Sequence, residues 1–268
     1  MAVVLEGGCR VSQMREGDPL TNGTLRIWNQ IGRATGARAI SLRVMEFAPG
    51  LSPAIRNDEC DEILYVLGGC SESADAVRNE VSTARDNGWV NLLIDGQSCK
   101  VEPDTGIYLR PGETFAVDNP GSSPITIVSA QCPDPDRSPQ FVSLPNELAG
   151  TRPPPIARLA DRPAQPTADR WYRVLVDDEI GSKQVTQFVG SIPPGRAPDH
   201  FHNYEEVLFI LRGEGKMWAG KTDTPISPGS CIYLPKGQAH CVENTGPGEL
   251  RLLGVFYPAG SPRVRYDA

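Results

Sequence analysis

The chain repeats itself. Gly36–Gly50 (GARAISLRVMEFAPG) aligns without a gap on Gly181–Gly195 (GSKQVTQFVGSIPPG), at an offset of 145 residues. Glu62–Gly69 (EILYVLGG) then aligns on Glu206–Gly213 (EVLFILRG) at 144, and Ile107–Asn119 on Ile232–Asn244 at 125. Order and spacing are kept throughout, and the fall from 144 to 125 places a 19-residue insertion in the first copy, within Cys70–Pro103. A chain of 268 residues built this way is expected to fold as two homologous units, each large enough for a core of its own.

The repeated pieces are short apolar runs such as Glu62–Leu67, Lys183–Ile192, Ser230–Leu234 and Leu250–Tyr257, separated by Pro, Gly, Asn and Asp. With 27 glycines and 25 prolines punctuating such runs, the pattern is that of antiparallel β-structure. Segments with a 3.6-residue period are scarce; Ser73–Asp86 is the one stretch read as a short helix. Between the copies, Pro133–Arg170 carries nine prolines and little apolar periodicity, which reads as a linker. Its Phe141–Leu144 (FVSL) is apolar enough to dock on a barrel surface. The expected division is therefore 1–132, a linker 133–170, and 171–268.

Several function classes are disfavoured by composition. A net charge of −7, with no block of Lys or Arg, lacks the footprint of a nucleic-acid binder. No run reaches the roughly 18–20 apolar residues of a membrane helix, and the first residues, MAVVLEGGCRVSQ, do not read as an export leader. The expectation is a cytoplasmic protein whose seven cysteines, odd in number and without a C-x-x-C pair, stay as free thiols.

Histidine carries the chemistry. The chain has three, His200, His202 and His240, all within two stretches, Gly195–Gly213 and Gly229–Asn244. His200 and His202 stand at i and i+2, so on a strand both point to one face, and Glu206 follows at the same parity. Three imidazoles and a carboxylate make a borderline N/O donor set suited to one divalent transition metal: Fe, Mn, Ni, Co or Zn. Four protein ligands on an octahedral ion leave up to two positions for water, dioxygen or a bidentate substrate. Cys241, next to His240, has the opposite parity and reads as a small core hydrophobe.

The two histidine stretches resemble the paired motifs of the cupin superfamily, G-x5-H-x-H-x(3,4)-E-x6-G and G-x5-P-x-G-x2-H-x3-N. Gly229, Pro235, Gly237, His240 and Asn244 meet the second in full. His200, His202, Glu206 and Gly213 meet the first, with Gly195 one residue closer to the histidine than the pattern has it. The resemblance implies an all-β bicupin, two tandem double-stranded β-helix (jelly-roll) barrels joined by the proline-rich segment. In the first copy Phe115 stands at the position of His240, Arg56-Asn57-Asp58 at the histidine pair, and Glu62 alone remains of the four ligands. That barrel is expected to have lost its metal, and its Glu59, Asp61 and Glu62 read as a solvated acidic loop.

For the C-terminal pocket, Leu208, Ile210 and Val242 share faces with the ligands, and Gln187, Tyr204 and Gln238 are candidates for substrate contact. Phe201, Trp218 and Tyr233 are further aromatic candidates. The implied function is a metal-dependent enzyme acting on a small, oxygen-rich metabolite, by preference a dioxygenase-type oxidoreductase. The alternatives are a redox-neutral isomerase, lyase or ureidoglycine aminohydrolase-like enzyme, and a non-catalytic metal- and small-molecule-binding protein. Oxalate decarboxylases resemble the chain less well, since they generally keep metal ligands in both halves. The resemblance is also compatible with a homodimer.

Overall fold

Two β-sandwich barrels pack side by side in the computed structural model, which describes residues 1–68, 88–145, 155–263 and 266–267. Every strand pairing among the described residues is antiparallel. A seven-stranded and a six-stranded sheet enclose the N-terminal barrel, and an eight-stranded and a six-stranded sheet enclose the C-terminal one. The all-β double jelly roll expected from the sequence is the observed fold.

The strands owe their stability to burial on both faces. On Ser41–Phe47 all seven residues are buried: Met45 and Phe47 face into the N-terminal barrel, while Leu42 and Val44 face the other barrel. Thr186–Ile192 repeats this arrangement, with Phe188 and Ile192 inward and Val189 at the interface. The two large sheets thus share a third apolar layer, which includes Trp28, Tyr65, Tyr108, Val207, Phe209 and Val255. A related hydrogen bond lies beside it in each barrel: Tyr108 Oη donates to Asp61, and Tyr233 Oη to Glu205, each at 2.8 Å. Glu205 also accepts from the backbone N–H groups of Arg38 and Ala39, tying the barrels together.

Strands cross the boundaries expected at 132 and 170. The strand Arg10–Gln13 adds to the C-terminal barrel, pairing with Ser230–Leu234. Ile156–Arg158 adds to the N-terminal barrel, pairing with Thr105–Leu109. Val11 opposes Ile232 and Ile156 opposes Ile107, which puts the arms 145 residues apart and their partners 125 apart, the offsets of the repeat itself. Each barrel therefore completes its large sheet with an arm from ahead of the other. Described parts of the proline-rich segment are accordingly docked: Gln140–Val142 pairs with Ala54–Arg56, as its apolar character suggests, and Gln165–Thr167 pairs with Arg170–Val176.

The insertion narrows as well. The hairpin Val90–Ile94/Gln97–Val101 stands 125 residues before Gly215–Ala219/Thr222–Ile226, so the extra residues lie between 68 and 90. The helix expected over Ser73–Asp86 lies outside the described residues.

Candidate metal centre

His200 sits on the short strand His200–Phe201, directly opposite His240 of the strand His240–Asn244. His202 follows just past the first strand, where its carbonyl accepts from the Gly237 N–H at 2.8 Å. Gly237 makes that contact from a left-handed turn (φ +78°), a conformation glycine adopts without strain. Glu206 enters from Glu205–Arg212 in the large sheet. The motif glycine and the two strands thus bring four donors to one end of the barrel.

The ligand atoms of the three imidazoles lie within 4.8 Å of one another, and among the described residues this is the group of three or more donors able to hold a metal ion. Nδ1 of His240 lies 2.8 Å from the Gln238 carbonyl and Nδ1 of His200 lies 3.1 Å from the Pro198 carbonyl. A carbonyl oxygen can only accept, so both Nδ1 atoms carry the proton and both Nε2 lone pairs are left for an ion, the usual outer-shell arrangement of ligating histidines. His202 Nε2 stands 3.4 Å from Glu206 Oε2, too far for a good hydrogen bond and suited to two atoms sharing a cation.

Burial sets the electrostatics. Glu206 is buried, and desolvation alone pushes its carboxyl up to about 8. His240 is pushed down to about 4, first by burial and then by the neighbouring His200. A buried carboxylate beside neutral imidazoles calls for a positive charge, and a divalent cation supplies it. The residues present fit the borderline divalent ion that the motifs imply.

Beside the donors lies a cavity of about 120 Å³. Leu208, Val242, Phe188, Leu252 and Phe256 supply much of its wall, and Arg170, Trp171 and Tyr172 reach it from the first strand of the C-terminal barrel. Leu208 and Val242 are where strand parity puts them. Phe188, Phe256 and the Arg170–Tyr172 stretch were not singled out from the sequence. Carrying the repeat offset upstream to residue 156 would have assigned Arg170, the last residue of the expected linker, to the barrel with Trp171 and Tyr172.

The expected substrate contacts fall elsewhere. Gln187 points to the other barrel, where its Nε2 donates to the Leu64 carbonyl at 3.3 Å and its Oε1 fills the space that a side chain at Gly106 would need. Phe188 has the inward parity on that strand. Gln238 lies under the N-terminal turn at Gly7, its Nε2 donating to the Ala239 carbonyl at 2.8 Å. Tyr204 stands behind the site, its ring stacked on His202 at 4.8 Å and on Phe256 at 4.7 Å. It positions a ligand histidine rather than lining the cavity. Tyr233 belongs to the barrel interface, and Trp218 donates to Glu243 while Arg196 stacks over its ring at 4.1 Å. Phe201 does not line the cavity.

The N-terminal barrel has rebuilt the equivalent place. Glu62 is buried and accepts from the Arg43 guanidinium and, at 2.7 Å, from Ser129 Oγ. Arg43 corresponds to Phe188, so in this barrel a cation carried by the wall neutralises the buried carboxylate. Phe115, in the place of His240, is buried in the apolar core. The reading of Glu59, Asp61 and Glu62 as a solvated loop holds for exposed Glu59; Asp61 and Glu62 are buried in the strand Asp61–Gly68, one on the Tyr108 hydroxyl and the other on Arg43.

Residues 188–256 match the family model of the Cupin domain. In sequence the chain is similar to auxin-binding protein 1 of Arabidopsis thaliana, 34% identical over 86 residues, 28% of this chain and 43% of that one. It is also similar to an oxalate-binding protein of Thermotoga maritima, 38% identical over 67 residues, 24% and 55% respectively. The chain thus spans about half the length of these curated relatives. In structure it resembles a deletion mutant of Bacillus subtilis oxalate decarboxylase, with a TM-score of 0.70 at 14% identity over 92% of this chain and 76% of that one. It likewise resembles a protein of Pseudomonas aeruginosa described as glyoxylate-induced, with a TM-score of 0.70 at 16% identity over 98% and 94%. At these identities the structural likeness speaks to the fold.

Proposed function

Because the chain belongs to the cupin superfamily and folds as a two-barrel member of it, we propose that its C-terminal barrel is a metal-dependent site for a small, oxygen-rich metabolite. His200, His202, His240 and Glu206 hold one divalent transition metal. The observation that carries this is the clustering of three imidazoles, their ligand atoms within 4.8 Å of one another, with the buried Glu206 carboxylate 3.4 Å from one of them. When bound, the ion supplies Lewis acidity to a substrate carboxylate, carbonyl or enol oxygen.

The protein's own groups do the rest. The Pro198 and Gln238 carbonyls fix the tautomers and ring orientations of His200 and His240. Tyr204 and Phe256 brace His202 from behind. The apolar wall keeps bulk water from the donors and strengthens every charge interaction among them. Of the reactions open to such a site, a dioxygenase-type oxidation is the one we put forward, since an N3O donor set suits Fe(II).

Elemental analysis of protein purified without chelator tests the metal. One transition metal ion per chain is expected, and its loss in a His200→Ala/His240→Ala variant; a metal-free wild type overturns the reading. Oxygen uptake by Fe(II)-loaded protein with catechols, enols and β-diketones tests the reaction, and turnover that persists without oxygen would favour a redox-neutral enzyme. The similarity to proteins named for binding auxin and oxalate supports the other reading, a metal- and small-molecule-binding protein without turnover. It predicts ligand bound in native mass spectra and silence in both assays.

A further inference from the structure

Resting on the metal reading above, we propose that the C-terminal cavity selects a small monocarboxylate with a planar apolar body and discriminates against a compact dicarboxylate. Three independent features point to this: the construction of its floor, its size and its charge balance.

The floor is built for a flat apolar face. A Cβ on Gly254 would run into the Phe188 ring, so the ring occupies space that this absent side chain leaves open, and it lies in ordinary contact range of Gly190. Phe188 then meets Phe256 at 5.6 Å between centroids, and Phe256 stacks on Tyr204, which stacks on His202. A column of rings therefore runs from the floor to a ligand histidine. Leu208, Val242 and Leu252 add an aliphatic wall. Aromatic contacts of this kind contribute about 0.5–1.5 kcal/mol beyond area burial.

Volume limits the body. At about 120 Å³ the cavity is close to the roughly 150 Å³ apolar cavity known to accept benzene. One ring-sized or branched aliphatic body fills it, with a carboxylate turned toward the donors.

Charge limits the head group. A divalent ion with ionised Glu206 leaves one positive charge, which one carboxylate neutralises. A dicarboxylate would bring a second negative charge against a largely apolar wall, where a further cation favours it. Among the described residues lining the cavity, Arg170 is the one side chain of permanent positive charge, and its Nε lies 3.5 Å from the largely exposed Asp169 carboxylate. The N-terminal barrel shows the contrast: there Arg43 occupies the position of Phe188 and takes a carboxylate, Glu62, from the protein itself.

Calorimetric titration of the metal-loaded, full-length protein with sodium benzoate and with sodium oxalate tests this, with elemental analysis before and after each titration. The expected result is a benzoate Kd at least tenfold below that of oxalate, with benzoate binding lost after EDTA treatment. Phe188→Leu should weaken benzoate by about 2- to 10-fold, following the aromatic-contact energies, and leave oxalate and metal content unchanged. Leu252→Phe, which fills the cavity, should abolish benzoate binding with the metal still in place. Oxalate binding as tightly as benzoate, or both variants leaving benzoate unaffected, overturns the proposal. Metal retained without benzoate affinity overturns it while sparing the metal reading; a chain that takes up no metal overturns both.

Discussion

Arg43 holds Glu62 inside the N-terminal barrel at the position where, in the C-terminal barrel, Glu206 lies 3.4 Å from His202, one of three clustered histidines. Two copies of one fold have met the same problem, a carboxylate buried at the end of a jelly roll, with a guanidinium in one case and a metal-binding donor set in the other. The first barrel's solution closes its site: the cation is covalently part of the wall and cannot be exchanged.

That relationship predicts an asymmetry between single and double substitutions. Arg43→Met leaves Glu62 buried without its cation and should lower unfolding stability by about 3–5 kcal/mol. Arg43→Met with Glu62→Leu removes both charges and should recover most of the loss. Urea denaturation followed by tryptophan fluorescence measures both, and equal losses in the single and double variants would contradict the pairing.

The buried Glu206 makes the metal-free protein sensitive to pH. Its carboxyl is raised from an ordinary 4.5 to about 8, so between those values the folded chain holds a proton that the unfolded chain has released. Stability should therefore fall as pH rises from about 4.5 to about 8, and the fall should be absent in Glu206→Gln. Thermal melts of EDTA-treated protein across that range compare the two.

Metal binding reverses the sign, because the ion needs the ionised form. At pH 6.5 each ion bound should displace close to one proton from Glu206, whereas His240, pushed down to about 4, is already neutral and releases none. Calorimetry in two buffers of different ionisation enthalpy reads the number of protons, which should be lower by close to one in Glu206→Gln.

Gly254 has a steric role that its extended backbone does not advertise. Gly254→Ala should displace the Phe188 ring and cost about 1–3 kcal/mol, as overpacking in a filled core does. Gly248→Ala, at a glycine with open space around it, serves as the control in a thermal melt.

The buried and half-buried thiols of the described residues should react slowly while the chain is folded. Burial raises Cys9 and Cys60 to about 12 and Cys99 and Cys241 to about 11, so very little thiolate is present at pH 8. Alkylation with iodoacetamide, resolved by peptide mass spectrometry, should modify the half-buried Cys99 ahead of the other three, and all four faster in denaturant.

The clustering of the three histidines was legible because its cues are local. His200, His202 and Glu206 share one run, and strand parity alone puts them on a face. Gln187 was misplaced for a physical reason: when a strand such as Thr186–Ile192 is buried on both sides, hydrophobic alternation disappears, and with it the cue that tells the barrel interior from the interface. Arg43 was hidden in the same way, as one charge in a strand whose seven positions are all buried. The repeat held the missing information, since Phe188 and Arg43 are equivalent, but an equivalence does not say which way a side chain points until one copy's sheet is known. The pairing of Arg10–Gln13 with Ser230–Leu234 left no local trace, because strand pairing across such distances depends on where the barrels meet rather than on the residues themselves.

That pairing bears on how the chain is made. Val11 meets Ile232 across 221 positions, so the arm Arg10–Gln13 leaves the ribosome more than two hundred residues ahead of its partner. The N-terminal barrel cannot close its large sheet until Ile156–Arg158 has emerged, and the C-terminal barrel has an open edge until the first arm finds it. Contacts of such high sequence separation slow folding, since loop closure must precede any gain from pairing. The two barrels are therefore not beads on a string: each holds the other's last strand, and the chain matures as one cooperative unit.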